Sequence, residues 1–321
     1  MDLIYADHKM QDQGVLHDYK LDLAYGVDEN DFELTIPAAA HCCAAGFYVY
    51  VEGTEYGGIV DAIYSDTGAR EVSYTGRTWH GLLNSKIVEP DAGADYLVLT
   101  GEANAVLRDL IARLGLSDLF EASEMDSGLT IRSYKMNRYI AAYDGIRKML
   151  KTVGAKLSVK FSSGKVILSA VPRGEYNREG ELDSDLVDFK VQRVYNPVNH
   201  LICLGRGELS AREVIHLYAD ANGVISTTQT FTGMNERATV YENTNAETLE
   251  DLESEGRDKL ADLAAQDSIQ VAFEADDAGY DVQDSVCATD NVTGLSVVAE
   301  IMKKIVTIES GQTTISYKVG L

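Results

Sequence analysis

Trp79 and His80 offer the clearest possibility of chemistry in this sequence. Trp79 is the single tryptophan, and beside a histidine at a strand end it could stack a sugar ring while the histidine acts as acid or base. Alternatively, Trp79 anchors one end of a β-barrel and His80 lies at its rim. No carboxylate stands at a spacing that would complete a catalytic pair, so we favour the packing role.

Four aspartates near the C-terminus could cluster around Ca²⁺, namely Asp276, Asp277, Asp281 and Asp284. Their spacing does not match the D-x-[DN]-x-[DN]-G loop, which places oxygen ligands around Ca²⁺. We therefore interpret this segment as a solvated acidic turn.

Other standard active-site motifs are missing from the sequence. The run Gly205-Arg206-Gly207 lacks the third glycine and the βαβ context of a dinucleotide loop. Neither GxSxG nor HExxH occurs. A glycosidase needs two carboxylates roughly 5–9 Å apart, and sequence cannot select them among 51 acids. We predict that the chain is not an enzyme and has no catalytic, cofactor-binding or metal-binding residues and no cofactor.

The four cysteines, Cys42, Cys43, Cys203 and Cys287, form no CxxC pair. Vicinal cysteines are poorly spaced for a disulfide or a tetrahedral metal site. We expect buried free thiols in a reducing compartment.

The composition is strongly acidic. With 28 basic and 51 acidic residues, the 321-residue chain has a formal charge of −23. Such a charge argues against sequence-specific nucleic acid binding, which needs Lys and Arg on the phosphates. The N-terminal MDLIYADHKM has no signal-peptide pattern, and no apolar run reaches the ~18 residues of a membrane span. We expect synthesis in the cytoplasm and no stable membrane insertion.

The first ninety residues have β periodicity. Apolar runs at 47–51 and 59–64 are followed by strict alternation around Val72 and Tyr74. Closely spaced short strands of this kind indicate a small barrel or sandwich.

The middle of the chain changes to helical periodicity. Apolar residues from Ala103 to Leu114 recur at three- and four-residue spacing, which predicts an amphipathic helix. A second helix is predicted from an Asn137 N-cap to a stop at Gly154. Alternating residues 157–170 then predict a β-hairpin.

Strands return after residue 185, interrupted by one acidic helix at about 245–265. The predicted strands are His200–Arg206, Val214–Ala219, Val224–Thr232 and residues 269–273. A Thr244/Glu247 capping box is predicted to begin the helix. The chain is expected to end in a hairpin that turns at Ser310-Gly311.

The order of these segments resembles the tail and baseplate hub proteins of tailed phages and prophages. It is closest to the Gp37-like siphovirus tail proteins and is similar to the hub of contractile tails. The segments that carry the resemblance are LDLAYGVDENDFELTIP, EYGGIVDAIY, GRTWHGLLNSKIVEP, NPVNHLICLGRGE and SVCATDNVTGLSVVAEIMKKIVTIESGQTTISYKVG.

The resemblance implies an α+β, mainly β fold with two small β-barrels. Residues 1–90 would form the first barrel and 91–175 an α+β module of two helices and a hairpin. Residues 185–321 would form the second barrel, with the acidic helix inserted. The sequence reaches Leu321 directly after the last predicted strand, so we expect a structural subunit without an appended enzyme.

The function implied is that of a virion structural protein, a hub subunit at the baseplate or tail tip. Three copies would form a ring that joins the tail tube to the tip and lets DNA pass. The expected partners are other copies of the chain, the tail tube and distal tail or baseplate proteins. The protein would be assembled in the bacterial host cytoplasm and reside in the virion tail.

Two alternatives from other functional classes stay open. One is a tail-associated cell-wall hydrolase, a peptidase or a glycosidase. The other is a carbohydrate- or receptor-binding module that uses Trp79 and some of the 18 tyrosines. Tyrosines also suit barrel cores and subunit contacts, where an apolar ring with a polar tip is useful.

Overall fold

The computed structural model describes residues 2–176, 182–183, 189–246, 248–264, 267–274, 279–309 and 311–320. It confirms the predicted class, because strands dominate and helices are few. The chain divides into two compact units. The first comprises Met1–Phe189, Gln270–Val292 and Val298–Gly320, and the second comprises Lys190–Ile269 with Thr293–Val297 and Leu321.

The strands and helices follow one another in three groups along the chain. The N-terminal group is β1 (Leu3–Ala6), β2 (Asp12–Leu16), β3 (Lys20–Gly26), β4 (Asp31–Pro37), β5 (Tyr48–Tyr50), β6 (Gly57–Asp66), β7 (Glu71–Thr78), α1 (Trp79–Asn84) and β8 (Ile87–Val88). The middle group is β9 (Leu97–Glu102), α2 (Ala103–Arg113), β10 (Phe120–Ala122), β11 (Thr130–Met136), β12 (Ile140–Ala141), α3 (Ala142–Lys151), β13 (Ala155–Ser162), β14 (Lys165–Pro172), β15 (Glu175–Tyr176), β16 (Leu182–Asp183) and β17 (Phe189–Arg193). The C-terminal group is β18 (His200–Leu204), β19 (Val214–Ala219), β20 (Ile225–Ser226), β21 (Ala238–Glu242), α4 (Leu249–Ala264), β22 (Asp267–Glu274), β23 (Ser285–Thr289), β24 (Ser296–Glu309) and β25 (Gln312–Gly320).

The main sheet of the first unit joins the two ends of the chain. Its order runs β25-β24-β3-β4-β7-β6-β5-β1-β2. β24 pairs antiparallel with β3, with Lys303 opposite Gly26 and Glu309 opposite Lys20. No closed barrel is found among the strands that the structure describes, so the two-barrel architecture stays a prediction.

The core of this sheet follows from alternation along its strands. Leu21, Leu23 and Tyr25 of β3 are buried on one face, and Val306 and Ile308 of β24 join the same cluster. Because side chains alternate between faces, the residues between them point away from this core. Burial of these side chains contributes on the order of 2 kcal/mol each, which holds β24 in the sheet.

The middle of the chain forms the second core of the first unit. Helices α2 and α3 pack on the sheet β10-β14-β13. Trp79 belongs to this core and stacks on Phe161, with ring centroids 5.4 Å apart. Gly57 passes so close to the indole that a Cβ would lie 2.7 Å from it, so a glycine is required there. The packing role predicted for Trp79 is therefore the observed one.

The second unit is a sheet covered by one helix. Strands are ordered β20-β19-β18-β21, and α4 packs against β18 and β19. Leu252 and Leu260 of the helix meet Cys203 and Leu217 of the sheet. A Cβ at Gly256 would lie 2.5 Å from the Cys203 sulfur, so the close approach of helix and strand depends on this glycine.

Two predicted helix starts are wrong, for local reasons. Residues before α3 form the short strand β12, so the helix begins after Ala141 rather than at Asn137. The end of α3 is correct, because Gly154 adopts a left-handed φ of +67°. In α4 the cap is formed by Thr248 and Asp251, four residues beyond the predicted Thr244. Glu247 of the predicted box lies outside the described residues.

The two hairpins predicted from the sequence correspond to the strand pairs β13–β14 and β24–β25. β13 and β14 pair over their full length, which confirms the first. β24 and β25 pair up to Glu309 opposite Gln312, and Gly311 has a φ of +79°. Ser310, the other predicted turn residue, lies outside the described part of the chain.

We expect Ile308→Ala to lower the free energy of unfolding by about 2–5 kcal/mol, because Ile308 is fully buried where β24 meets β3. Val298→Ala is the control on the same strand, since Val298 is half exposed and should change stability by less than about 0.5 kcal/mol. Urea denaturation followed by circular dichroism measures both. Equal effects of the two substitutions would contradict the assignment of the C-terminal strand to this core.

Candidate functional site

The first unit contains a buried polar cluster made by side chains that are far apart in the sequence. We define this cluster as Tyr25, Glu55, His80, Asp281 and Lys304. Tyr25 comes from β3, Lys304 from β24 and His80 from the first turn of α1. Glu55 precedes β6, and Asp281 lies in the turn before β23. Buried ionisable groups with shifted pKa values are frequent at functional sites, so this cluster is the first candidate for a catalytic site.

Glu55 is the centre of the cluster. Its Oε1 accepts hydrogen bonds from Lys304 Nζ at 2.6 Å and from the Tyr25 hydroxyl at 2.5 Å. The side chains of Lys304 and Glu55 are only 10% and 13% exposed. Such charge-assisted bonds are strong in a buried setting, and they occupy one carboxylate oxygen completely.

The charges in the cluster determine its protonation states. Burial disfavours the Lys304 ammonium, but attraction by Glu55 and Asp281 outweighs burial and raises the pKa of Lys304. Burial, followed by repulsion from Glu55, raises the pKa of Asp281 to about 6. Lys304 and Lys156 oppose that rise. The lysine is thus held in its charged form, and Asp281 titrates closer to neutrality than an ordinary aspartate.

His80 is kept neutral. Burial lowers the pKa of His80 to about 4. Its ring stacks on Tyr25 with centroids 4.6 Å apart, and Nε2 lies 4.0 Å from Glu55 Oε2. Nδ1 is buried without a hydrogen-bond partner within the described part of the chain. A buried histidine with so low a pKa is poorly suited to acid–base catalysis at neutral pH.

Asp284 belongs to a neighbouring ion pair rather than to a metal site. Its Oδ2 accepts from Lys156 Nζ at 2.8 Å and from the Asp281 backbone N–H at 2.8 Å. Its Oδ1 accepts from the Gly174 N–H at 2.7 Å. In the described ranges, no group of three or more His, Cys, Asp and Glu is placed to hold a metal ion. Asp276 and Asp277 lie outside those ranges.

A second polar arrangement lies in the second unit. His200 Nε2 and His216 Nδ1 are 2.8 Å apart, and His200 Nδ1 lies 2.6 Å from Glu236 Oε1. Tyr218 stacks on His200 with centroids 4.3 Å apart. Sequence reasoning did not find this group, although Ile202 pairs with His216 and His200 with Tyr218 on adjacent strands. The missing information was the register of β18 and β19.

The remaining residues singled out by sequence have structural roles. The run Gly205–Gly207 forms the tight connection after β18, where the Gly205 N–H donates to the Glu213 carbonyl at 2.8 Å. Gly207 has a φ of +93°. Cys42, Cys43 and Cys203 are free thiols; Cys42 is half-buried, and the other two are buried, as is Cys287. Within the described ranges, no helix is long and apolar enough to cross a membrane.

The role that the buried polar cluster supports is therefore structural. None of its members is a serine, threonine or cysteine nucleophile, and the best-placed carboxylate is already bound to a lysine and a tyrosine. The cluster joins β3 and β24 by charged hydrogen bonds to Glu55, and His80 of α1 stacks on Tyr25. Removing one partner of a buried ion pair costs about 3–5 kcal/mol, because the other charge is left buried and unpaired, so the cluster constrains how these strands pair.

We expect Lys304→Met to lower the free energy of unfolding at pH 7 by about 3–5 kcal/mol, because Glu55 loses its buried counter-ion. Lys318→Met is the matched control, since Lys318 is exposed on the neighbouring strand β25. Its effect should stay within about 0.5 kcal/mol. Guanidinium denaturation of both variants provides the comparison, and a loss below 1 kcal/mol for Lys304→Met would show that the pair is dispensable.

The raised pKa of Asp281 predicts a pH dependence of stability. A group whose pKa rises on folding contributes stability below its unfolded pKa and loses it as the pH passes the folded value. Relative to Asp281→Asn, the wild type should therefore lose on the order of 2 kcal/mol between pH 4 and pH 7. The lowered pKa of His80 acts in the opposite direction, which is why the variant must be the reference. Denaturation curves at several pH values test this, and parallel curves for the two proteins would contradict it.

Comparison with known proteins gave results only at the level of structure. No protein-family model matches the chain. No curated protein matches it either.

Three solved structures are similar to this chain over its whole length. The tail protein from Neisseria meningitidis MC58 has a TM-score of 0.50 and 14% identity, with 100% of this chain and 97% of that chain covered. Prophage tail protein gp18 from Listeria monocytogenes EGD-e has a TM-score of 0.52 and 11% identity, with coverage of 99% and 94%. The 43 kDa tail protein of prophage MuSo2 from Shewanella oneidensis has a TM-score of 0.53 and 12% identity, with coverage of 99% and 97%.

These identities are too low to transfer a function, but the coverage is nearly complete in both directions. The resemblance to phage and prophage tail proteins inferred from the sequence is confirmed at the level of the fold, whereas the closer likeness to Gp37-like proteins stays a prediction. This chain shares the fold of tail proteins such as those of the Listeria and MuSo2 prophages.

Proposed function

We propose that this chain is a structural subunit of a phage or prophage tail, a hub protein at the baseplate or tail tip. The observation that carries the proposal is the fold shared with three tail proteins over 99–100% of this chain. In this role the protein resides in the virion tail, after assembly in the bacterial host cytoplasm.

A non-enzymatic role agrees with the chemistry of the buried polar cluster. His80 is neutral and enclosed, while Glu55 and Lys304 neutralise each other. A catalytic acid or base needs a reachable proton and a pKa near the working pH. The cluster offers neither, which supports a structural role.

The proposed assembly is a ring of three copies that joins the tail tube to the tip. A ring needs two different, complementary surfaces on each copy and a rotation that closes. A scaffold of paired strands is suited to this, since it is stiff and presents fixed edges. In this proposal each copy has three parts, at 1–90, 91–175 and 185–321. The first and last are barrels, so three copies place six barrels in the ring and give it pseudo-sixfold symmetry. β24, which lies in the division 185–321, pairs with β3, which lies in the division 1–90.

The proposed conduit for DNA draws support from an acidic groove. The groove has a volume of about 540 Å³ and lies over the strands β3, β4, β6 and β7. Its acidic lining residues are Asp22, Glu29, Asp31, Glu33 and Asp61. Arg77 lines the same groove and pairs with Asp61, while Lys303 pairs with Glu29 and Lys20 with Asp22, so acids outnumber the nearby cations by two. Duplex DNA carries one negative charge per ~1.7 Å of its axis. An acidic wall would repel the duplex and let it slide, and a ring structure with a neutral or basic lumen would contradict this part of the proposal.

A second candidate function, carbohydrate binding, is favoured by one cavity. It has a volume of about 280 Å³ in the second unit, and Tyr195, Phe231, Asn196 and Asp220 are among its lining residues. Aromatic rings combined with amide and carboxylate groups suit a sugar. Trp79 is not available for that purpose, since it is fully buried. Binding on a glycan array that is lost in Tyr195→Ala would favour this function.

We expect the purified chain, alone or with the tail tube protein of its phage, to form a ring of three copies. Mass photometry measures the mass, and negative-stain electron microscopy shows whether the particle has a central opening. Incubation with purified peptidoglycan should release no soluble product, which separates a hub from a cell-wall hydrolase. A stable monomer in the presence of the tube protein would contradict the proposed role.

A further inference from the structure

The far half of β6 is an uncovered edge of the main sheet. β5 pairs with β6 only through Gly57–Ile59. From Asp61 to Asp66 the strand pairs with β7 on one side, and no described strand lies on the other. All six of these residues are exposed, including Ile63 and Tyr64, the latter to 65%.

This uncovered segment is well formed. β7 continues to pair with it up to Asp66 opposite Glu71. At the tip, Asp66 Oδ1 accepts from the Gly68 N–H at 2.8 Å and from the Ala69 N–H at 3.0 Å. An irregularity in the register between Val60 and Ala62 marks where the exposed part begins. We call residues 61–75 the β6–β7 hairpin.

An edge of this kind is a surface that favours association. Unpaired N–H and C=O groups template a further strand, and soluble proteins usually protect such edges with lysine or proline. The segment DAIYSD has neither, and it carries two large apolar side chains and two acids, of which Asp61 is paired with Arg77 of β7 while Asp66 is exposed at the tip. Its chemistry therefore suits a partner with apolar and basic groups.

A surface of that chemistry exists in the same unit. β9 and β11 form a two-stranded ribbon, and Val98 pairs with Lys135 on its exposed face. Val98 is 52% exposed, and the Lys135 ammonium lies 5.7 Å from the centroid of the Tyr96 ring. Arg132, which lies on β11 together with Lys135, is also exposed. We call Tyr96, Val98, Arg132 and Lys135 the β9–β11 surface.

The two cations of this surface, Arg132 and Lys135, are exposed and carry charge that no acid in the described part of the chain neutralises. The sequence has 51 acidic residues, yet no carboxylate of the described residues pairs with Arg132 or Lys135. The remaining outward groups are the aromatic ring of Tyr96 and the side chain of Val98. Apolar area flanked by unpaired positive charge is complementary to the apolar, acidic β6–β7 hairpin.

We propose that the β6–β7 hairpin of one copy docks on the β9–β11 surface of a second copy. The proposal rests on the proposed ring and names its subunit contact. Two hairpins cannot associate as well with each other, because antiparallel pairing of residues 61–66 would place Asp61 opposite Asp66 of the second copy. Docking of one surface on a different surface is heterologous, which is the type of contact that closes a ring.

Cysteine cross-linking between two singly substituted proteins tests the contact directly. In a Cys42→Ser background, Tyr64→Cys and Val98→Cys proteins are mixed and oxidised. The mixture should give a covalent dimer that exceeds the yield of either protein alone by about tenfold. Because each chain carries one new thiol, this product cannot form within a single chain. A dimer from Tyr64→Cys alone would show hairpin–hairpin pairing and overturn the proposal.

Charge reversal tests the complementarity. Arg132→Glu combined with Lys135→Glu should weaken assembly by about tenfold or more in mass photometry, and raising the salt concentration should weaken the wild type. Glu71→Lys, at the hairpin tip, should restore part of the loss when combined with the reversed surface. Lys259→Glu combined with Lys318→Glu is the control, because both lysines are exposed, on α4 and β25, and the double reversal changes the net charge equally. Matching circular dichroism melting curves establish that each variant is folded.

The outcomes separate this contact from the hub role. If the wild type assembles into rings but no mixed dimer forms and charge reversal has no effect, the contact is wrong and the ring stands. If the wild type forms no assembly, even with the tube protein, the hub proposal fails and the contact fails with it. A mixed dimer together with restored assembly supports both.

Discussion

The antiparallel pairing of β24 with β3 is the interaction on which the first unit depends. Thr307 and Asp22, which hydrogen-bond across this pair, are 285 positions apart. Closing so long a loop has an entropic cost, which burial of Val306 and Ile308 offsets. Adjacent lysines strengthen the same strand, because Lys303 pairs with Glu29 while Lys304 pairs with Glu55.

The buried charges explain why the strand has one register. A shift by one residue moves every side chain of a strand to the opposite face. For β24 a shift in one direction would place Ile305 beside Glu55 and leave that carboxylate without its counter-ion, and a shift in the other would place Lys303 there and remove it from Glu29. Well-packed apolar residues can match or exceed the stability of a buried ion pair. The cluster is therefore better understood as a determinant of register than as a source of net stability.

A cluster of Tyr, Glu, His, Asp and Lys has the residue types of an active site. Its buried position shows that residue types alone do not identify one. Its groups are enclosed and bound to each other, whereas the features able to meet a partner lie on the surface. These are the β6–β7 hairpin, the β9–β11 surface and the acidic groove. Fold and function are separate matters in general. For a subunit of an assembly, we expect function to lie in surfaces of this kind.

Local periodicity in the sequence determined the β13–β14 hairpin, helix α2 and the left-handed stop at Gly154, because alternation and three- to four-residue spacing depend only on near neighbours. It placed the starts of α3 and α4 wrongly, since Asn137 and Thr244 compete with other local caps and strands. Only the tertiary structure decided that Lys304 meets Glu55, that His200 meets His216 and that residues 61–66 have an open edge. These depend on strand pairing between distant segments, and the periodicity of a sequence does not specify which strands far apart in the chain lie side by side.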